Sequence, residues 1–307
     1  MSLLRIGILA FLVTLLTACV TVASTPFLSP LVTEPRIQTE AKRVYIPVAS
    51  YNIAKKGLAL NRDYCDDATR LGAAWIYNWD YMPPSCWYTE AVPMLWSPKQ
   101  IGLPIAQGRY LLGFNECDRS DQCNTSAQDA AHDWRQVETL YYNRLLISPA
   151  PSSDDIDWLR RFREAYIAEY KVAPRLYALA AHCYLPSAAE CITLGEQYVQ
   201  WAKEWQVPGG VWFTEWAFGP CRVMQAASGK IEPNMLVAKQ EAIRFQAWLE
   251  AEPVVTRYAW FTNRLVTGDS GSYPDLSCDT VLMDKNGTLT ELGKWYAQDQ
   301  NQAPDRE

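Results

Sequence analysis

Leu111-Leu112-Gly113-Phe114-Asn115-Glu116 is an apolar run of strand type that stops on a carboxylate, and about a hundred residues later Val211-Trp212-Phe213-Thr214-Glu215 does the same. A glutamate at the C-terminal tip of a buried parallel strand is costly to hold unless it does work. In α/β barrels those tips gather at one face, where active sites are built. If these strings are the fourth and seventh strands of such a barrel, their glutamates approach a central cleft from opposite sides.

The rest of the chain supports that count. From Lys56 onward, short apolar runs alternate with longer amphipathic ones, the pattern of repeated βα units around a parallel sheet. The expected strands are Lys56 to Leu60, Ala73 to Trp79, Val92 to Trp96, Tyr110 to Glu116, Leu145 to Pro149, Leu176 to Tyr184, Gly210 to Glu215 and Arg257 to Asn263. Helices are expected over Ser126 to Tyr142, Ile156 to Lys171, Ala188 to Trp205 and Asn234 to Glu250, with a last one from about Glu291 to Ala297. Thr125 or Ser126, Asp154 or Asp155, and Pro233 or Asn234 offer local chemistry for helix starts. The fold class is therefore α/β, a single-domain (β/α)8 TIM barrel, which 307 residues with 49% hydrophobic content can fill. No Gly-rich phosphate fingerprint follows any strand, and no internal repeat appears.

A net charge of -6 and a pI near 5.2 argue against a polyanion partner, and no basic stripe appears, so no nucleic acid is expected. Arg5 precedes an apolar run from Ile6 to Leu16 that is short for a membrane span and reads as an export signal. Leu16-Thr17-Ala18-Cys19 matches the bacterial lipobox, which would make Cys19 the lipidated mature N-terminus; cleavage after Ala23 is the competing reading. Both export the protein, to the cell envelope or the medium, with the membrane touched only through an N-terminal lipid. The expected layout is a signal over 1–19, a flexible tether over 20–50, the barrel over 51–300 and a tail over 301–307.

Without Cys19, eight cysteines remain, at Cys65, Cys86, Cys117, Cys123, Cys183, Cys191, Cys221 and Cys278. An even count suits disulfides in an oxidising compartment. Of roughly a hundred possible pairings, proximity favours Cys117 with Cys123 and Cys183 with Cys191, leaving Cys65 with Cys86 and Cys221 with Cys278. With only His132 and His182, no CxxC pair and no zinc-like spacing, no metal is expected.

Two facing acids suit glycoside hydrolysis, which needs one protonated and one ionised carboxyl on either side of the scissile bond. A separation of about 5 to 5.5 Å, the retaining distance, is expected. Asn78, Trp79, Trp96, Asn115, His182, Tyr184 and Trp260 also fall at or near strand tips, where polar groups and flat rings would meet a hydroxyl-rich substrate. Tyr184 is placed to hold the carboxylate of Glu215. Trp212 and Phe213 read as packing residues, Trp216 could face either way, and His132 and the Asp154-Asp155 pair read as structural.

At this point the chain resembles glycoside hydrolase family 128, the glycosyl hydrolase catalytic core group. The resemblance runs from Lys56 to Trp295 and rests on Lys56-Gly57-Leu58-Ala59, Trp75-Ile76-Tyr77-Asn78-Trp79, Val92-Pro93-Met94-Leu95-Trp96, Gly113-Phe114-Asn115-Glu116, His182-Cys183-Tyr184, Phe213-Thr214-Glu215 and Tyr258-Ala259-Trp260-Phe261. It implies an endo-β-1,3-glucanase that needs no cofactor and acts on β-glucan polysaccharide or oligosaccharide, with Glu116 as acid/base and Glu215 as nucleophile. A monomer is expected. The family commonly shows Pro-Asp after the strand-four glutamate and Trp between the strand-six His and Tyr, where this chain has Cys117-Asp118 and Cys183. Both departures add cysteines that could staple the cleft rim, so the family's substrate need not transfer unchanged. The alternatives are a glycosidase of different β-linkage specificity, a non-catalytic glucan-binding surface lipoprotein, and a structural envelope protein, which would have no reason to place acids at both tips.

Overall fold

The computed structural model describes residues 55–61, 64–219, 234–264 and 280–298. Among them, eight parallel strands follow the chain: β1 (Lys56–Ala59), β2 (Trp75–Tyr77), β3 (Glu90–Ala91), β4 (Tyr110–Leu111), β5 (Leu145–Leu146), β6 (Leu179–Cys183), β7 (Val211–Trp216) and β8 (Val255–Phe261). They pair as β3-β2-β1-β8-β7-β6 and as β4-β5. Isolated parallel bridges from Met94 to Leu112 and from Ile147 to Ala178 link the two groups on either side. Each strand thus neighbours the next in sequence and β8 neighbours β1, which is the expected (β/α)8 arrangement. The third strand begins at Glu90, ahead of the expected Val92, because Glu90 and Ala91 already pair with Trp75 and Ile76.

The helices are α1 (Cys65–Arg70), α2 (Ala127–Leu140), α3 (Asp157–Tyr170), α4 (Ala188–Glu204), α5 (Met235–Ala251) and α6 (Glu291–Tyr296). Ser126 starts α2, its Oγ accepting the Asp129 N–H at 3.0 Å, and Asn234 Oδ1 starts α5 by accepting from Val237 N–H at 3.2 Å. Neither Asp154 nor Asp155 caps α3. Asp155 instead pairs with Arg161 at 2.6 Å, while its carbonyl accepts from Trp158 N–H.

Side chains sort into two apolar layers. Ala59, Trp75, Tyr77, Leu112, Ala180, Trp212 and Ala259 fill the barrel. Leu58, Phe213, Tyr258, Trp260, Phe245 and Leu249 belong to the layer shared with the helices. Along β8 the alternation is regular, as the pleat requires: Ala259 faces in, while Tyr258 and Trp260 face out.

In the two strands that carry the glutamates the alternation breaks. Leu111 and Phe114 both join the outer layer, as do Phe213 and Trp216, though each pair is three residues apart. On β7 the pairing with β8 shifts between Phe213 and Trp216. Such a bulge re-aims one side chain; here it turns Glu215 towards the axis and sends Trp216 outward. Beyond β4 the break falls at Gly113, where a Cβ would lie 2.7 Å from Pro149 N, 2.8 Å from Ser148 C and 2.9 Å from Ile147 O. Only glycine lets the two strand ends approach this closely.

Cys65–Cys86, Cys117–Cys123 and Cys183–Cys191 are bonded, as the spacing suggested. Cys221 and Cys278, the leader with Cys19, the tether, Pro233 and the tail lie outside the described residues. No helix among the described residues is long and apolar enough to cross a membrane.

Candidate active site

Three side chains converge at the C-terminal ends of the strands. Glu116 follows β4 in a left-handed backbone conformation, φ +43°, anchored by its N–H to Ala150 C=O at 2.7 Å. Glu215 comes from the β7 bulge and His182 from β6. His182 Nδ1 lies 2.9 Å from Glu116 Oε1, and its Nε2 lies 3.5 Å from Glu215 Oε1. One oxygen of each glutamate and one ring nitrogen of His182 lie within 4.8 Å of one another.

The two carboxylates have different surroundings. Glu215 accepts at both oxygens, from Trp79 Nε1–H at 2.8 Å on Oε1 and from Tyr184 O–H on Oε2, while the Tyr77 O–H is shared between Thr214 C=O at 2.9 Å and Glu215 Oε1 at 3.2 Å. It therefore faces the cleft as an oriented acceptor, which suits a nucleophile. Glu116 has His182 on one oxygen and the Arg119 guanidinium 3.6 Å from the other, so it keeps acceptor and proton-carrying capacity towards the cleft.

His182 is fully buried. Burial opposes its positive charge, but Glu215 and then the hydrogen-bonded Glu116 outweigh that penalty and raise its pKa above the usual value. An imidazole between two carboxylates offsets the repulsion that would otherwise separate them. The Tyr184 hydroxyl is pushed well up, by burial first and then by Glu215 and Glu116, so it stays a donor.

The structure brings most of the expected residues together. Trp79, Tyr184 and His182 line the carboxylates, and Trp79 serves as a hydrogen-bond donor to Glu215 as well as a ring. Trp96 lies half-buried on the inner layer, its carbonyl accepting from Asn115 N–H at 2.9 Å. Asn115 is 3% exposed, with Nδ2 at 3.5 Å from Gln122 and a buried Oδ1 that has no partner. Asn78 turns its Oδ1 to Asp80 N–H at 3.3 Å and shapes the loop.

Trp260 is not part of the cleft. Its ring packs outward against Trp216, Trp295 and Tyr296, and its Nε1–H is held by Thr280 C=O at 2.7 Å. The pleat gives the inward position to the next residue, Phe261, whose ring stands 5.6 Å from Trp79 and 5.7 Å from Tyr184. Phe261, Tyr77 and Arg119 are site residues that the sequence reading passed over. Strand parity was the available signal, since Tyr77 shares its face with Trp79 and Phe261 shares its face with Ala259.

Glu116, His182 and Glu215 could together reach one cation. The donor set argues otherwise, because three O–H and N–H groups already occupy the lone pairs of Glu215 and would have to turn away.

A family model described as the glycosyl hydrolase catalytic core matches residues 51–296. Solved structures similar to the chain include a GH128 subgroup II endo-β-1,3-glucanase from Pseudomonas viridiflava, 27% identical over 80% of this chain and 97% of the other, with a TM-score of 0.61. A GH128 subgroup I endo-β-1,3-glucanase from Amycolatopsis mediterranei in complex with laminaritriose is 27% identical over 79% and 98%, also with a TM-score of 0.61. A GH128 subgroup III curdlan-specific exo-β-1,3-glucanase from Blastomyces gilchristii, 23% identical over 80% and 98% with a TM-score of 0.61, shares the fold. No curated protein matches the chain.

Proposed function

The chain belongs to the glycosyl hydrolase catalytic core family, and from that premise we propose that it cleaves internal β-1,3-glucosidic bonds of β-glucans with retention, as an exported enzyme held to the envelope through a lipid on Cys19. The observation that carries the reading is the approach of Glu116 and Glu215 to within 4.8 Å, oxygen to oxygen, across His182. That supports the closer spacing of double displacement, about 5 to 5.5 Å, over the wider one of inversion, about 6.5 to 9.5 Å. The similarity to β-1,3-glucanases supports the substrate class.

In the first step Glu215 attacks the anomeric carbon while Glu116 gives its proton to the leaving oxygen. The glycosyl ester forms as the glycosidic bond breaks, and the shortened glucan departs with the proton. In the second step Glu116, now a carboxylate, takes a proton from water as that water attacks the same carbon, and Glu215 leaves. Tyr184, Tyr77 and Trp79 keep the nucleophile's oxygens aimed throughout.

The test is chromatography of the sugars released from a panel of β-glucans by wild type, Glu116→Gln and Glu215→Gln, with the anomer of the first product followed by NMR. A ladder of β-1,3-oligosaccharides with β-anomers first, absent in both variants, is the expected result. Glucose alone would mean exo action, α-anomers first would mean inversion, and binding without product in wild type would mean a glucan-binding protein.

A further inference from the structure

Trp87 and Tyr88 are adjacent rings, 95% and 87% exposed. Large apolar side chains clustered in water commonly mark a binding surface. They sit on the β2–β3 connection just before Glu90, which pairs with Trp75 at the start of β2. Glu90, two residues after Tyr88, opens β3 at the N-terminal end of the sheet, whereas the carboxylates stand at the C-terminal ends of their strands.

Three features of this segment point to its ligand. Its backbone is held, since Cys86 is bonded to Cys65, the first residue of α1, and Thr89 N–H returns to Cys86 C=O. A segment held in this way loses little backbone entropy on binding. From Tyr81 to Thr89 the chain reads Tyr-Met-Pro-Pro-Ser-Cys-Trp-Tyr-Thr, without one charge, in a protein whose residues are 20% charged. Met82 is exposed on the same segment, and Ser85 and Tyr88 bring exposed hydroxyls to it, while Thr89 is buried beneath. A neutral chain of sugars, with C–H faces to stack and hydroxyls to pair, matches that surface; a nucleic acid or an acidic peptide would want cations here.

Resting on the function proposed above, we propose that Trp87 and Tyr88 form a second β-1,3-glucan-binding platform on the barrel wall, which holds the enzyme on polymeric substrate and takes no part in bond cleavage. The experiment compares the Trp87→Ala/Tyr88→Ala double variant with its parent in two settings. In a Glu215→Gln background, co-sedimentation with insoluble β-1,3-glucan should weaken by about tenfold. In the active enzyme, hydrolysis of that polymer should slow while kcat/KM on a soluble β-1,3-tetrasaccharide stays at the parent value, which also shows that the fold is intact. Unchanged sedimentation overturns the platform. So does loss of adsorption to neutral phosphatidylcholine vesicles with glucan binding intact, which would identify a lipid surface as the occupant. A wild type that releases nothing from any β-1,3-glucan overturns the functional reading instead, whatever the wall binds.

Discussion

The lower, N-terminal half of the barrel holds Arg257, 3% exposed, with its guanidinium 4.4 Å from the Trp212 ring, 4.6 Å from Tyr110 and 5.4 Å from Trp75, and 2.6 Å from Glu90. The upper end holds Glu116 and Glu215 around His182. Both ends bury charge among aromatic rings, in opposite ways. Below, one buried cation meets one partly exposed anion and three ring faces, which balance its charge although Nη1 has no hydrogen-bond partner. Above, two carboxyl groups flank a single imidazole, with the Arg119 guanidinium 3.6 Å from Glu116, an arrangement that a substrate bearing developing positive charge would complete. Burial of charge is common to both ends; only the sign and number of partners separate a structural plug from a reactive centre.

Substitutions at the two ends should therefore act on different observables. Glu215→Gln should lower kcat on β-1,3-glucan by at least about ten-thousandfold, ~5 kcal/mol of transition-state stabilisation, with little change in melting temperature. Arg257→Met should leave kcat within twofold, roughly the scatter of such assays, yet cost about 3 kcal/mol of stability and lower Tm by roughly 6–12 °C. A large loss of kcat in Arg257→Met, with Tm held, would break the division between the ends.

Smaller effects sharpen it. Trp260→Phe should cost about 1–2 kcal/mol of stability, because its indole bond to Thr280 is lost, and leave KM alone. Phe261→Ala, one residue on, should raise KM on short glucans. The reverse pattern would place Trp260 in the cleft after all.

The smallest effect is one of pH. His182 binds its proton more tightly in the fold than at the ordinary value of 6.5, so its contribution to stability is complete below that pH and is lost as pH rises through the folded value. The Tm of wild type, measured against His182→Gln, should decline over that interval, and a flat difference would mean an imidazole that stays neutral.

Eight strands, the main helices and three disulfides were legible in the sequence because hydrophobic period and cysteine spacing are local signals. Glu116 and Glu215 were legible because each ends an apolar run. Trp260 was misplaced because a tip is a coarse address: whether a ring faces the axis or the helices depends on parity, which a one-residue error inverts. The bulge at Thr214-Glu215 carries no composition signal, so nothing in Val211-Trp212-Phe213-Thr214-Glu215 said that Trp216 would turn outward. The place of Arg257 was not legible, since its three rings come from Trp75, Tyr110 and Trp212, on three other strands. Asp155 looked like a cap but was taken by Arg161.

The left-handed backbone at Glu116 has an evolutionary consequence. An L-residue other than glycine gives up roughly 1–2 kcal/mol to stand there, and asparagine tolerates the geometry better than glutamate. A library of this chain screened for heat resistance alone would drift towards Asn or Gly at position 116, and its sturdiest survivors would be those that can no longer cut sugar.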